Sequence, residues 1–131
     1  SDDLERHLSS AIGADGVVAR IAPYYSRVET GTVARFRLTV SNPYRSTQKA
    51  MLRLVLPVGW VAVPDAVAIS LPPLGQEQIE IEVTVGGPPR RRARLAVDVG
   101  IGDLNLGQHA EALVDAATGW RLKVAHAVEK A

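Results

Sequence analysis

The sequence predicts an all-β domain, an Ig-like antiparallel β-sandwich of about seven strands with a short N-terminal helix. Three observations predict it. Apolar and polar residues alternate with a period of two through residues 33–40, 78–85 and 92–101. Clusters of Gly, Pro, Asn and Asp close these runs at spacings of about 8–12 residues, the rhythm of short strands joined by tight turns. Each run also carries one polar face, as sheets do when one side packs on a core and the other meets water. A barrel gives the same local signals and stands as the alternative.

A chain of 131 residues holds one core and buries roughly two-thirds of the surface its unfolded form exposes. It has no Cys, so there is no disulfide framework, thiolate metal site or cysteine nucleophile. Lys and Arg number 15 against 14 Asp and Glu, a formal charge of +1, so no global field steers the protein toward nucleic acid or an anionic membrane. The apolar runs stop well short of the roughly 20 residues that span a bilayer. No basic stretch followed by an apolar one opens the chain, so no secretory signal is expected and the cytoplasm is favoured. The opening Ser1-Asp2-Asp3, without an initiator Met, reads as the start of an excised fragment.

Residues 2–12 place Leu4, Leu8, Ala11 and Ile12 at helical spacing, with Asp2 and Glu5 as a capping box and Gly13 as a stop. They predict a short amphipathic helix, and residues 1–15 are either a leader docked on its own domain or a connector from a preceding one. The sandwich itself is assigned to residues 16–115. Residues 17–21 form a first strand closed by Pro23, after which Tyr24, Tyr25, Ser26 and Val28 lead to a turn at Glu29, Thr30 and Gly31. Over residues 33–40, Ala34, Phe36, Leu38 and Val40 share one face, and Asn42-Pro43 ends the strand. Residues 50–60 are the stretch around which the chain is organised. Leu52, Leu54 and Leu56 point inward, while the second face, Met51, Arg53 and Val55, is apolar enough to imply partial cover by a neighbour.

Pro64 and the pair Pro72-Pro73 confine residues 61–71 to an edge or a sheet-switching segment, because proline cannot donate to a ladder. Residues 78–85 turn Ile79, Ile81, Val83 and Val85 inward, and residues 92–101 do the same with Ala93, Leu95, Val97, Val99 and Ile101. Gly102-Asp103 is a hairpin turn into residues 106–114, whose inward face the residues do not decide. Residues 116–131 fit either a strand, through Trp120, Leu122 and Val124, or a helical turn, and are treated as a tail.

The order of a strand ending Asn42-Pro43-Tyr44, a strand running into Leu56-Pro57-Val58-Gly59-Trp60, a segment ending Pro72-Pro73-Leu74-Gly75 and a long closing hairpin resembles the Ig-like accessory domains associated with α-galactosidases. More specifically, it is similar to the module C-terminal to metallo-β-lactamase-fold hydrolases of actinobacteria. The resemblance spans about residues 17–115. It implies a non-catalytic bacterial domain, with zinc and the reaction carried by a neighbouring catalytic domain, and it supplies no catalytic residues to this chain.

Candidate chemistry is thin. His7, His109 and His126 lie on different predicted elements without the short spacing of a zinc site. His109 with Glu111, beside the strand of Asp98, is the nearest approach to a ligand cluster, against the reading of an ordinary polar strip. Asp98, Asp103, Asn105 and Glu111 lack the dense alternation of a calcium loop. Gly100 and Gly102 sit between strands, so no helix N-terminus is available to hold a phosphate. Arg90, Arg91, Arg92 and Arg94 are the strongest charge cluster; they suit a phosphate or an acidic surface, against the reading that Arg92 and Arg94 pair across the sheet with Glu80 and Glu82. Trp60, Tyr24, Tyr25, Tyr44 and Trp120 could stack on sugar, but Trp60 at a strand end more naturally caps the core. No G-x-S-x-G elbow is present.

The sequence therefore predicts no catalytic, cofactor-binding or metal-binding residues and no cofactor. It predicts an accessory domain whose partner is a neighbouring catalytic domain of the same chain or a second copy, not nucleic acid or membrane. A carbohydrate- or cell-surface-binding module is the alternative, and a small enzyme is the remote third, with no residue to nominate.

Overall fold

The computed structural model describes residues 18–119. The helix expected over residues 2–12 and the tail beyond Gly119 lie outside them. Among the described residues there are nine strands: β1 (Ala19–Ala22), β2 (Tyr25–Glu29), β3 (Val33–Ser41), β4 (Gln48–Val55), β5 (Val61–Val63), β6 (Ala66–Leu71), β7 (Gln76–Thr84), β8 (Arg90–Ile101) and β9 (Leu104–Ala117). They form two sheets, ordered β1-β3-β7-β5 and β2-β9-β8-β4-β6. All pairs are antiparallel except β2 with β9. Two open sheets with this order are an Ig-like sandwich with an extended second sheet, and the barrel alternative falls because neither sheet closes.

The count of about seven is corrected to nine because prolines split two segments. Pro23 cannot donate to a ladder, and the chain leaves β1 on one sheet and resumes as β2 on the other. Pro64 does the same between β5 and β6, which become the edges of opposite sheets. Residues 61–71 are thus the sheet-switching edge segment their prolines predict. Ala116 and Ala117, assigned to the tail, instead extend β9.

The alternating residues meet between the layers. Phe36, Leu38 and Val40 of β3 and Ile81 and Val83 of β7 come from one sheet. Leu52 and Leu54 of β4, Leu95, Val97, Val99 and Ile101 of β8, and Ala112 and Val114 of β9 come from the other, and all are buried. Trp60 caps one end, only 6% exposed. Its turn lies against the Gly86-Gly87 loop so closely that a Cβ on Gly86 would stand 2.3 Å from the Gly59 carbonyl oxygen.

The opposite end is tied by Asn42, the one buried polar residue among the described residues of the core. Its Nδ2 donates to the carbonyls of Ser46, Leu71 and Pro72 at 2.9, 3.1 and 3.0 Å. Its Oδ1 accepts the Tyr44 amide at 2.9 Å. One side chain thereby ties the loop after β3 to the end of β6 and the turn that follows it.

Candidate functional site

The outer face of the five-stranded sheet concentrates what is unusual on this surface. At one end, Met51 of β4 stands between Ala68 of β6 and Gly100 of β8, its register partners on either side. These two neighbours are too small to cover it, and Met51 is 54% exposed. In the next row Arg53 lies directly opposite Asp98. Between these rows opens a depression of about 270 Å³, whose lining includes Met51, Arg53, Asp98, Gly100 and Asn105. An exposed thioether flanked by opposite charges offers an adaptable apolar contact with an oriented polar rim. The residues lining it include no nucleophile paired with a general base.

At the other end β8 carries a bulge. Arg90 pairs with Ala116 and Ala93 with Val114, so Arg91 and Arg92 together oppose Asp115 alone. Arg92 has a φ of 51°, a left-handed conformation uncommon for residues with a side chain. Asp115 holds it there: Oδ1 accepts the Arg92 amide at 2.6 Å, and Oδ2 accepts the Tyr25 hydroxyl of β2. These contacts, the phenol first and the amide second, hold the Asp115 carboxyl below the usual carboxylate range, with the charges of Arg91 and Arg27 adding to them.

The expected partners of the arginines are corrected here. Glu80 and Glu82 lie in β7, on the other sheet, where they meet Arg37 at 2.7 Å and Arg35 at 3.7 Å. Register explains the error: β7 is paired with β3 and β5, while the neighbours of β8 are β4 and β9. Arg94 pairs instead with Glu111 of β9 at 2.6 Å and also donates to Gln108.

The other sequence candidates do not converge. His109 is the extra residue of a second irregularity, in which Val97 pairs with Ala110 but Asp98 with Gln108. Its Nε2 accepts the Val18 amide at 2.9 Å, next to the start of β1 on the other sheet. That bond requires the neutral ring protonated at Nδ1, and burial lowers the imidazole pKa in the same sense. Glu111 is committed to Arg94, Asn105 Oδ1 accepts the Gly107 amide, and Asp103 lies in the hairpin turn. His7 and His126 are outside the described residues, among which no three metal-ligating side chains gather.

The Gly100 to Gly102 segment is a strand leading into a hairpin, with Gly102 at a φ of 56°, the conformation a type II′ turn needs at its first central residue. Tyr44 is buried beneath it, and burial, followed by the charge of Asp103, raises the phenol above its usual range. Among the described residues Tyr24 and Tyr25 are the exposed aromatics. Trp120 lies outside the described residues. Sequence reasoning missed the Asn42 tie and the Asp115 anchor; the polar Asn42 before Pro43 read only as a stop.

No protein-family profile matches the sequence, and no curated protein does. Among solved structures, the chain is similar to SSP-19, an MSP-domain protein like family member of Caenorhabditis elegans, at 12% identity over 76% of this chain and 99% of that one, with a TM-score of 0.49. It is similar to the apo form of the Calx CBD1 domain at 12% identity over 76% and 97%, with a TM-score of 0.48. A third is the ASH/PapD-like domain 7 of human CEP192, at 14% identity over 78% and 85%, with a TM-score of 0.46. The architecture stated above rests on the strand order of this chain, and no role of those proteins is carried over to it.

Proposed function

We propose that this chain is a non-catalytic accessory domain of a larger bacterial hydrolase of metallo-β-lactamase fold, docking its catalytic neighbour through the outer face of the five-stranded sheet. The observation that supports this reading is Met51: a long apolar side chain left standing on a floor of Ala68 and Gly100, beside the facing charges of Arg53 and Asp98. Exposed apolar knobs with a polar rim are what docking surfaces present. The resemblance of the Pro57-Val58-Gly59-Trp60 and Pro72-Pro73-Leu74-Gly75 segments to such modules supplies the parent.

Met51→Lys places a charge in the contact and should weaken association with the rest of the hydrolase by about tenfold or more, as loss of an interface anchor does. Unchanged association would sink the reading, and so would hydrolysis of substrate by the isolated chain. A carbohydrate- or cell-surface-binding role is the second reading. It now rests on Tyr24 and Tyr25, 55% and 47% exposed, because Trp60 is buried. Glycan titration read by aromatic fluorescence separates the two.

A further inference from the structure

We infer that the β8 bulge is an anion contact, with Arg91 and Arg92, both exposed, as its donors and an acidic segment of a protein partner as its ligand. The partner rests on the docking reading above; the site rests on its own geometry. The carboxylates that would neutralise these arginines are engaged elsewhere. Glu80 and Glu82 serve Arg37 and Arg35 on the opposite sheet, and Glu111 serves Arg94. No ion pair among the described residues includes Arg90, Arg91 or Arg92.

The local carboxylate, Asp115, spends its two oxygens on an amide and a phenol rather than on a guanidinium. It therefore holds the bulge in shape while leaving two arginines, Arg91 and Arg92, facing one anion. The bulge carries Arg92 at a φ of 51°, and bulges are built where a strand must re-aim its side chains. Arg90 stands opposite the core-facing Ala116 with its Nε buried, so it is not among the donors.

The residue type narrows the ligand. Both are Arg, whose planar fork matches carboxylate and phosphate oxygens in pairs, where Lys would offer only a point charge. A protein segment is favoured over nucleic acid on two grounds. The chain has a formal charge of only +1, so the long-range attraction that draws proteins to nucleic acid is missing. The neighbouring Tyr25 ties its hydroxyl to Asp115 at the sheet edge, and no row of aromatics interleaves the arginines to stack bases.

The test is fluorescence anisotropy of a labelled hexaglutamate peptide titrated with the whole chain at low ionic strength. Inorganic phosphate and a single-stranded oligonucleotide of equal charge are run as competitors. Arg91→Ser combined with Arg92→Gly removes two forks while glycine keeps the positive φ, and circular dichroism confirms the sheet. The double variant should bind hexaglutamate about tenfold more weakly or worse, since hydrogen bonds to charged groups are the strong ones. Arg35→Ser on the other sheet should bind as the parent does. If the double variant is destabilised, Arg91→Ser alone, at an exposed position, gives the same reading.

Equal binding by the variants overturns the inference, as does failure of hexaglutamate to bind. Tighter binding of the oligonucleotide overturns it in favour of nucleic acid, and displacement by phosphate at equal charge concentration overturns it in favour of a general anion effect. If hexaglutamate fails while Met51→Lys still disrupts association, the bulge inference fails alone and the docking reading stands.

Discussion

Asn42 shows how much one side chain can hold. It is buried, and its amide group serves three carbonyls and one amide across two loops. Truncation strands those groups away from water, each at about 1–3 kcal/mol when unsatisfied. Partial solvent entry offsets some of this, so Asn42→Ala should cost roughly 2–4 kcal/mol in urea unfolding. A loss below about 0.5 kcal/mol, the range of ordinary surface changes, would mean that the loops do not depend on it. His109 gives a pH signature. Burial holds its imidazole below the ordinary value, so the unfolded chain takes up the proton first. The stability it contributes is present above about pH 6.5 and lost as pH falls through the folded value. His109→Gln keeps an acceptor for the Val18 amide without a proton to gain. Its stability should therefore fall less than that of the parent between about pH 7 and pH 5.5, measured by urea midpoints; parallel curves would contradict the assignment.

At the scale of elements, what was legible in the sequence was whatever obeys a period of two. Strands β3, β7 and β8 bury the residues their alternation nominates, such as Phe36, Ile81 and Val97. Strand β9 could not be read because two register shifts interrupt it, between Val97 and Asp98 and between Val99 and Gly100 of its partner. Each leaves an extra residue, so alternation before the shift no longer names the face after it. Ala110, Ala112, Val114 and Ala116 face the core, while Gln108, expected on their face, is exposed and bound to Arg94. Cross-strand partners were illegible for a related reason. Adjacency in sequence suggested Glu80 and Glu82 for Arg92 and Arg94, but the chain changes sheets between β7 and β8. The loop contact between Gly59 and Gly86 makes its own prediction. A methyl at Gly86 would stand 2.3 Å from a backbone oxygen, which cannot rotate away. Gly86→Ala should cost roughly 1–3 kcal/mol, the usual range for overpacking, and unfolding in urea checks it; an unchanged midpoint would show that the two loops separate freely.

For the whole molecule, the consequence of two-layer burial is that the interior is spent on packing and the surface must carry the function. The described core contains one polar residue, Asn42, and its polar atoms are committed to backbone. The two outer faces differ in kind. The four-stranded sheet pairs Arg35 with Glu82 and Arg37 with Glu80, a solvated arrangement worth little on its own. The five-stranded sheet runs from the arginine bulge at one end of β8 to the Met51 depression at the other. That asymmetry is what the proposed docking face rests on; the sequence showed only that the second face of residues 50–60, Met51, Arg53 and Val55, is partly apolar. Met51 is the only methionine of the chain, so a sample labelled at the methionine methyl gives a single resonance from the centre of the proposed contact. The most direct measurement is that spectrum, recorded for the chain alone and after addition of the catalytic domain of the proposed parent hydrolase. Docking through this face predicts that the methyl signal shifts or broadens on complex formation; a complex that forms with the signal unmoved would contradict it.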